Sequence, residues 1–334
     1  MKKKKAVYFC SQSSMDRVYG QAERAAIAER LDMADLQITR ENWRNHLGLL
    51  NEAEVIVSSW GGAILDDELL AAMPNLKVYF YGAGTIKELM TPSAWERGVR
   101  ITNAVVANAV PVAEFCLAQI IFSLKHGWKY MQLAKADNPQ WWQVNKLVPG
   151  NYHSKVGIVS MGEIARKTCR LLKPLDLDVY ASTSYSTPEL AEELGITFTS
   201  MEEIFKTCDV VSIHLPSNDK TKNRIGIDLL RTMKQDSTLI NTARGAVINQ
   251  SELIQFLKER PDVYACIDVT EPEPPEHGCP LFDLPNVVLT PHLAGSMGGE
   301  TRRLAKYMIE EIDRWLSGEP LLWEITREAA ATMA

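Results

Sequence analysis

The chain has 334 residues, room for about two domains at roughly 100 to 200 residues each, and its 46% apolar content suits a packed core and excludes disordered or collagen-like chains. With 36 Lys and Arg against 42 Asp and Glu the formal charge is −6, so there is no general attraction to phosphate backbones or anionic lipid, and neither nucleic acid nor membrane is an expected partner. Cys10, Cys116, Cys169, Cys208, Cys266 and Cys279 are scattered without a Cys-x-x-Cys pair, which predicts reduced thiols in a cytoplasmic protein and neither a disulfide framework nor a metal site.

The basic run Met1 to Lys5 is followed by an apolar stretch, Ala6 to Cys10, too short for a signal peptide. From residue 4 to about 102, β-rich runs alternate with helical patterns such as Gln21 to Leu31: KKAVYFC from 4, EVIVSS from 54, LKVYFYG from 76 and VRITNA from 99. That alternation predicts βα units on a parallel sheet. The apolar region Ala104 to Phe122 is interrupted by Asn108, Pro111, Glu114 and Gln119, so it reads as a buried helix and not as a membrane span. Helical spacing predicts one long helix over Val112 to Leu133, with Pro111 near its first turn and a domain crossing beside it.

A segment rich in Trp, Asn and Pro from 138 leads into a second alternating series. Its strand candidates are KVGIVS from 155, LDVYAS from 177, DVVSIHL from 209, STLINT from 237, VYACIDV from 263 and NVVLTP from 286. Most are nearly continuous apolar runs, the mark of parallel strands covered on both faces. A last helix, roughly Gly298 to Leu316, is expected to return the chain to the first domain.

Residues 155–182 have the order strand, tight turn, helix, strand of a dinucleotide-binding βαβ unit. In place of Gly-x-Gly-x-x-Gly stand Ser160, Met161, Gly162, Glu163, Ile164 and Ala165. The central glycine still admits a pyrophosphate, Ala165 still permits close packing, and the helix start offers free N–H groups. The acidic residue that receives the adenosine ribose should fall near Thr183, yet Ser182, Thr183 and Ser184 supply only hydroxyls. Both NAD and NADP stay open. NAD is favoured because no Arg lies between Tyr180 and Gly195, whereas Glu189, Glu192 and Glu193 do.

Three later segments, NTARGAVINQSEL from 241, CIDVTEPEP from 266 and NVVLTPHLAG from 286, each begin with or follow a predicted strand. Ligands in open α/β sheets bind outside the carboxyl ends of strands, so Arg244, Glu273 and His292 should reach one crevice. Together with PVAEF from 111 and the degenerate glycine turn, these segments resemble the NAD(P)-dependent D-2-hydroxyacid dehydrogenase family, from about residue 54 to 316.

The resemblance implies a two-domain α/β fold. A flavodoxin-like substrate domain would comprise 1–103 plus 295–334, and a doubly wound parallel-sheet (Rossmann) nucleotide domain would be inserted as 104–294. The reaction would lie in a cleft that closes to exclude water, passing hydride between a nicotinamide and a small 2-keto or 2-hydroxy acid of the D series. Arg244 would clamp the carboxylate and carbonyl, a task for a planar guanidinium fork. His292 would be the general acid/base, and Glu273 would orient its ring and favour imidazolium.

The backbone at Ala83 and Gly84, in the turn Tyr81 to Thr85, would also bind the carboxylate, although Ile86 and Lys87 follow where the family usually has an Asp. Trp60, Tyr79 and Tyr81 are candidates to line the pocket. Cofactor contacts would come from Ser160, Met161, Gly162, Glu163, Ile164, Thr183, Ser184, His214, Pro216, Thr221, Thr242, Ala243, Asp268, His292 and Gly295, with Asp268 against the nicotinamide carboxamide. The family implies a homodimer. Two rivals share the fold: formate dehydrogenases, which pair the His with Gln where this chain has Glu273, and non-enzymatic NAD(H)-sensing scaffolds.

Overall fold

The computed structural model describes residues 2–142 and 148–332; part of the Trp-rich segment from 138 lies outside them. The chain forms two units, one from the residues up to Asn108 with those from Ser296 onward, the other from Ala109 to Gly295. The division falls inside the helix Val105–Ser123, not ahead of it.

In the first unit β1 (Lys5–Phe9), β2 (Asp32–Ile38), β3 (Val55–Ser58), β4 (Val78–Tyr81) and β5 (Arg100–Asn103) form a parallel sheet in the order β2-β1-β3-β4-β5. Alternate residues serve opposite faces. Val7, Phe9, Ile56, Tyr79 and Ile101 enter one core, while Tyr8, Val57 and Phe80 enter another with Leu304, Met308 and Ile312. Those last three come from the helix Thr301–Ser317, which returns the chain to this unit. Burial on both faces is what the continuous apolar runs encode.

In the second unit β6 (Lys155–Val159), β7 (Asp178–Ser182), β8 (Thr197–Phe198), β9 (Val210–Ile213), β10 (Thr238–Asn241), β11 (Tyr264–Ile267) and β12 (Val287–Leu289) take the order β12-β11-β10-β9-β6-β7-β8, all pairs parallel. The order reverses at β6, so the crevice outside the ends of β6 and β9 is the topological switch point. The fold is the expected α/β pair of parallel sheets.

The single helix expected over Val112 to Leu133 is two, Val105–Ser123 and Gly127–Lys135. The first begins earlier because Asn103 Oδ1 accepts the Val105 N–H (3.3 Å), and it contains Pro111 in its second turn instead of starting there. It stops where His126 turns left-handed (φ 48°). Among the described helices it is the one long and apolar enough to cross a membrane, but its residues Ala107, Cys116 and Ile120 belong to the packed cores. All six cysteines are buried and unpaired.

Candidate active site

The loops that leave β10, β11 and β12 are tied to one another by bonds that explain their sequences. Asn241, the last residue of β10, accepts the Ala243 N–H (3.1 Å) and donates to the Arg244 carbonyl (3.0 Å), which folds the turn presenting Arg244. Gly245 follows because a Cβ there would overlap the backbone of Thr270 and Glu271. The β10 loop therefore packs directly on the segment leading to Glu273. Arg244 donates to the Ala243 carbonyl (2.7 Å). Arg244 is exposed to solvent, so the protein around its head lowers its pKa only against that contact with water, and the nearby Glu273 carboxylate opposes the shift; a guanidinium stays charged at any working pH.

His292 Nδ1 donates to Glu273 Oε1 at 2.5 Å, the carboxylate oxygen being the acceptor of the pair. Nε2 is left free. Both side chains are nearly half exposed. His292 itself is left-handed (φ 52°), and its N–H reaches the Asp268 carbonyl (2.9 Å).

Asp268, only 3% exposed, turns its carboxylate into the β12 loop. Oδ1 accepts from Thr290 Oγ1 (2.6 Å) and Leu293 N–H (2.9 Å), Oδ2 from Ala294 N–H (3.0 Å). One buried carboxylate thus holds the loop on both sides of His292. Asp268, Glu273 and His292 line a cavity of about 700 Å³ with apolar walls including Leu281, Phe282 and Leu289; Arg244 is not in its lining.

At the switch point, Ser160 follows β6 with φ 79°, a left-handed position that favours glycine. Gly162 is extended and caps the helix Glu163–Leu172 with no side-chain bond, and a Cβ on it would meet nothing within 4 Å. Free N–H groups and open space above them suit a pyrophosphate, although exposed Glu163 adds a negative charge beside them. Met161 is fully buried; Ile164 packs with Val112, Cys116 and Ala294 next to Gly295.

Thr183 Oγ1 accepts the Tyr185 N–H (3.4 Å), turning the chain through Ser184, and the Tyr185 hydroxyl donates to the Met161 carbonyl. The Arg166 guanidinium lies 5.9 Å from the centre of the Tyr185 ring. The sequence reading missed both residues, because only the fold brings Arg166 to the end of β7.

His214, past β9, pairs its Nε2 with Ser212 Oγ (3.0 Å), and burial pushes its pKa down to about 4. Thr221 Oγ1 donates to the Pro216 carbonyl (2.5 Å). Thr242 Oγ1 lies 3.2 Å from the Cys116 thiol.

In the first unit, the Ala83 N–H is taken by the Tyr81 carbonyl (2.8 Å), and the Ala83 and Gly84 carbonyls receive Ala104 N–H (2.9 Å) and Asn103 Nδ2 (3.2 Å). Tyr79 is fully buried and packs as core beside Ser58, so it lines no open surface. Trp60 is half-buried under Arg17, 5.2 Å from its ring centre.

The second unit has the strand reversal at which open parallel α/β sheets bind dinucleotides. The sequence profile of the D-isomer specific 2-hydroxyacid dehydrogenase NAD binding domain matches residues 117–294. A glyoxylate reductase of Korarchaeum cryptofilum is 31% identical over 259 residues, covering 76% of this chain and 77% of that protein. A D-3-phosphoglycerate dehydrogenase of Archaeoglobus fulgidus is 26% identical over 258 residues, 77% of this chain and 48% of that protein. The chain spans about half the length of the phosphoglycerate dehydrogenases it matches. The apo D-mandelate dehydrogenase of Rhodotorula graminis shares the fold, with a TM-score of 0.81 at 22% identity over 96% of this chain and 97% of that one. The chain belongs to the D-isomer specific 2-hydroxyacid dehydrogenase family.

Proposed function

We propose that this chain reduces a small 2-keto acid to its D-2-hydroxy acid, reversibly, with NAD(P)(H). The observation that carries the reading is the His292–Glu273 pair at 2.5 Å, with Arg244 near enough for its charge to sense Glu273. When bound, reduced nicotinamide supplies the hydride. Arg244 places its guanidinium fork on the substrate carboxylate and keto oxygen, fixing the face presented and drawing electron density from C2. Because Nδ1 is committed to Glu273, His292 acts through Nε2: it gives its proton to the keto oxygen as the alkoxide develops and regains it from the hydroxyl in oxidation. Glu273 holds the ring in that tautomer and balances the imidazolium charge. Asp268 keeps the loop carrying His292 in place.

By the same family reading the acting species is a cytoplasmic homodimer, checked by light scattering. Activity is tested by mixing the protein with glyoxylate, hydroxypyruvate, pyruvate, phenylpyruvate or 2-ketoisocaproate and following loss of NADH or NADPH absorbance. At least one acid should turn over and yield the D-hydroxy acid. Silence across the whole panel with both nucleotides would refute the reading.

A further inference from the structure

We infer that Arg166 and Tyr185, with the hydroxyls of Thr183 and Ser184, form a receptor for the 2′-phosphate of an adenosine ribose, so that this chain accepts the phosphorylated dinucleotide. The inference rests on the proposed dinucleotide site at residues 160–165 and concerns its far end, where the ribose leaves the turn.

Four observations converge there. First, the ribose should meet the end of β7, and residues 182–184 offer no carboxylate to repel a phosphate. Second, Thr183 Oγ1 holds the Tyr185 N–H in a tight turn, and the Tyr185 hydroxyl is bonded to the Met161 carbonyl in the glycine turn. The β7 loop is thereby anchored over the pyrophosphate-binding turn. Third, the anchored ring carries the Arg166 guanidinium 5.9 Å from its centre, so the cation is held at this loop by its aromatic face. Fourth, Arg166 closes no ion pair among the described residues, whereas Arg170, one turn further along the same helix, is bound to Glu193 at 2.6 Å. Glu193 is thus bonded to Arg170 and feels Arg166 only through its charge, which leaves the donors of Arg166 for a ligand.

A guanidinium suits this task because it pairs two N–H groups with two phosphate oxygens, and the hydroxyls of Thr183 and Ser184 can each donate one more bond. The absence of Arg from residues 180–195, which favours NAD on sequence alone, is made good by Arg166 from the preceding helix. Glu163 and Glu189 remain as opposing charges, both exposed to solvent, where screening weakens them.

Calorimetric titration of the full-length protein with 2′,5′-ADP and with 5′-AMP tests the assignment without turnover. The wild type should bind 2′,5′-ADP about 10- to 100-fold more tightly than 5′-AMP, the range expected of a charge-assisted phosphate contact. Arg166→Gln should bring the two affinities together by weakening only 2′,5′-ADP, and Arg166→Lys should fall between. Equal wild-type affinities would overturn the inference, and so would an Arg166→Gln protein that loses both ligands equally. If neither nucleotide binds the wild type, the dinucleotide site itself is wrong and this inference falls with it; binding of 5′-AMP alone leaves that site standing and removes only the phosphate receptor.

Discussion

Replacing Asp268 by Asn changes one charge and almost no volume, and the structure fixes its consequence. Its carboxylate accepts three hydrogen bonds while only 3% exposed. An amide can accept at one position only. With its oxygen toward Thr290 and Leu293, its NH₂ confronts the Ala294 N–H; flipped, it confronts Leu293. Either way one buried backbone donor loses its partner, at roughly 1–3 kcal/mol. The bonds that survive lose their charge assistance, about 1 kcal/mol more. The total, about 2–4 kcal/mol, corresponds to a Tm drop of roughly 4–16 °C in a unit of this size. Because the same bonds fix the loop on both sides of His292, turnover should fall with stability. Circular dichroism melting and keto-acid kinetics on Asp268→Asn and wild type make the measurement. A Tm within about 1 °C of wild type would show that the carboxylate is not what holds this loop.

Two further outcomes follow from the same geometry. The pKa of His214 is lowered to about 4 by burial, so between its unfolded value near 6.5 and about 4 the unfolded chain binds the extra proton; this stability is present above pH 6.5 and is lost as pH falls through that window, at most about 3 kcal/mol. His214→Gln should flatten the urea-unfolding profile between pH 6.5 and 4, and a slope equal to wild type would refute the assignment. Ser160 stands at φ 79°, a strain of roughly 1–3 kcal/mol that glycine escapes at an entropic cost of about 0.5–1 kcal/mol; Ser160→Gly should raise Tm by a few degrees, and a lowered Tm would mean that the Ser160 side chain contributes more than its backbone costs.

Most strands of both units were legible because parallel strands buried on two faces are written as unbroken apolar runs, as in KVGIV and VVSI. β2 escaped for the opposite reason. Its sequence, DMADLQI, sits at a sheet edge with Asp32, Asp35 and Leu36 exposed, so solvent, not packing, decides most of its residues. β8 has two residues, too few for any periodicity. The break between Ser123 and Gly127 depends on His126 adopting a left-handed conformation, which helical spacing on either side conceals. At the candidate site, the closeness of Glu273 to His292 and to Arg244 was legible, because each residue stands in a short motif that follows a strand. The loop-holding bonds of Asp268 could not, since they join residues over twenty positions apart. The placement of Arg166, proposed for the phosphate, was not legible for a related reason: the helix before β7, not the β7 loop, delivers its side chain to Tyr185.

The central claim is that His292 moves the proton of a keto-acid reduction. Steady-state turnover of His292→Ala against wild type, on the best substrate of the panel and with nucleotide affinity measured in parallel, tests it most directly. The variant should lose roughly 100- to 10,000-fold in kcat while binding the nucleotide as wild type does, because no pyrophosphate contact is removed. A variant that keeps more than about half of wild-type turnover, against that 100-fold minimum for a lost general acid, would contradict the claim.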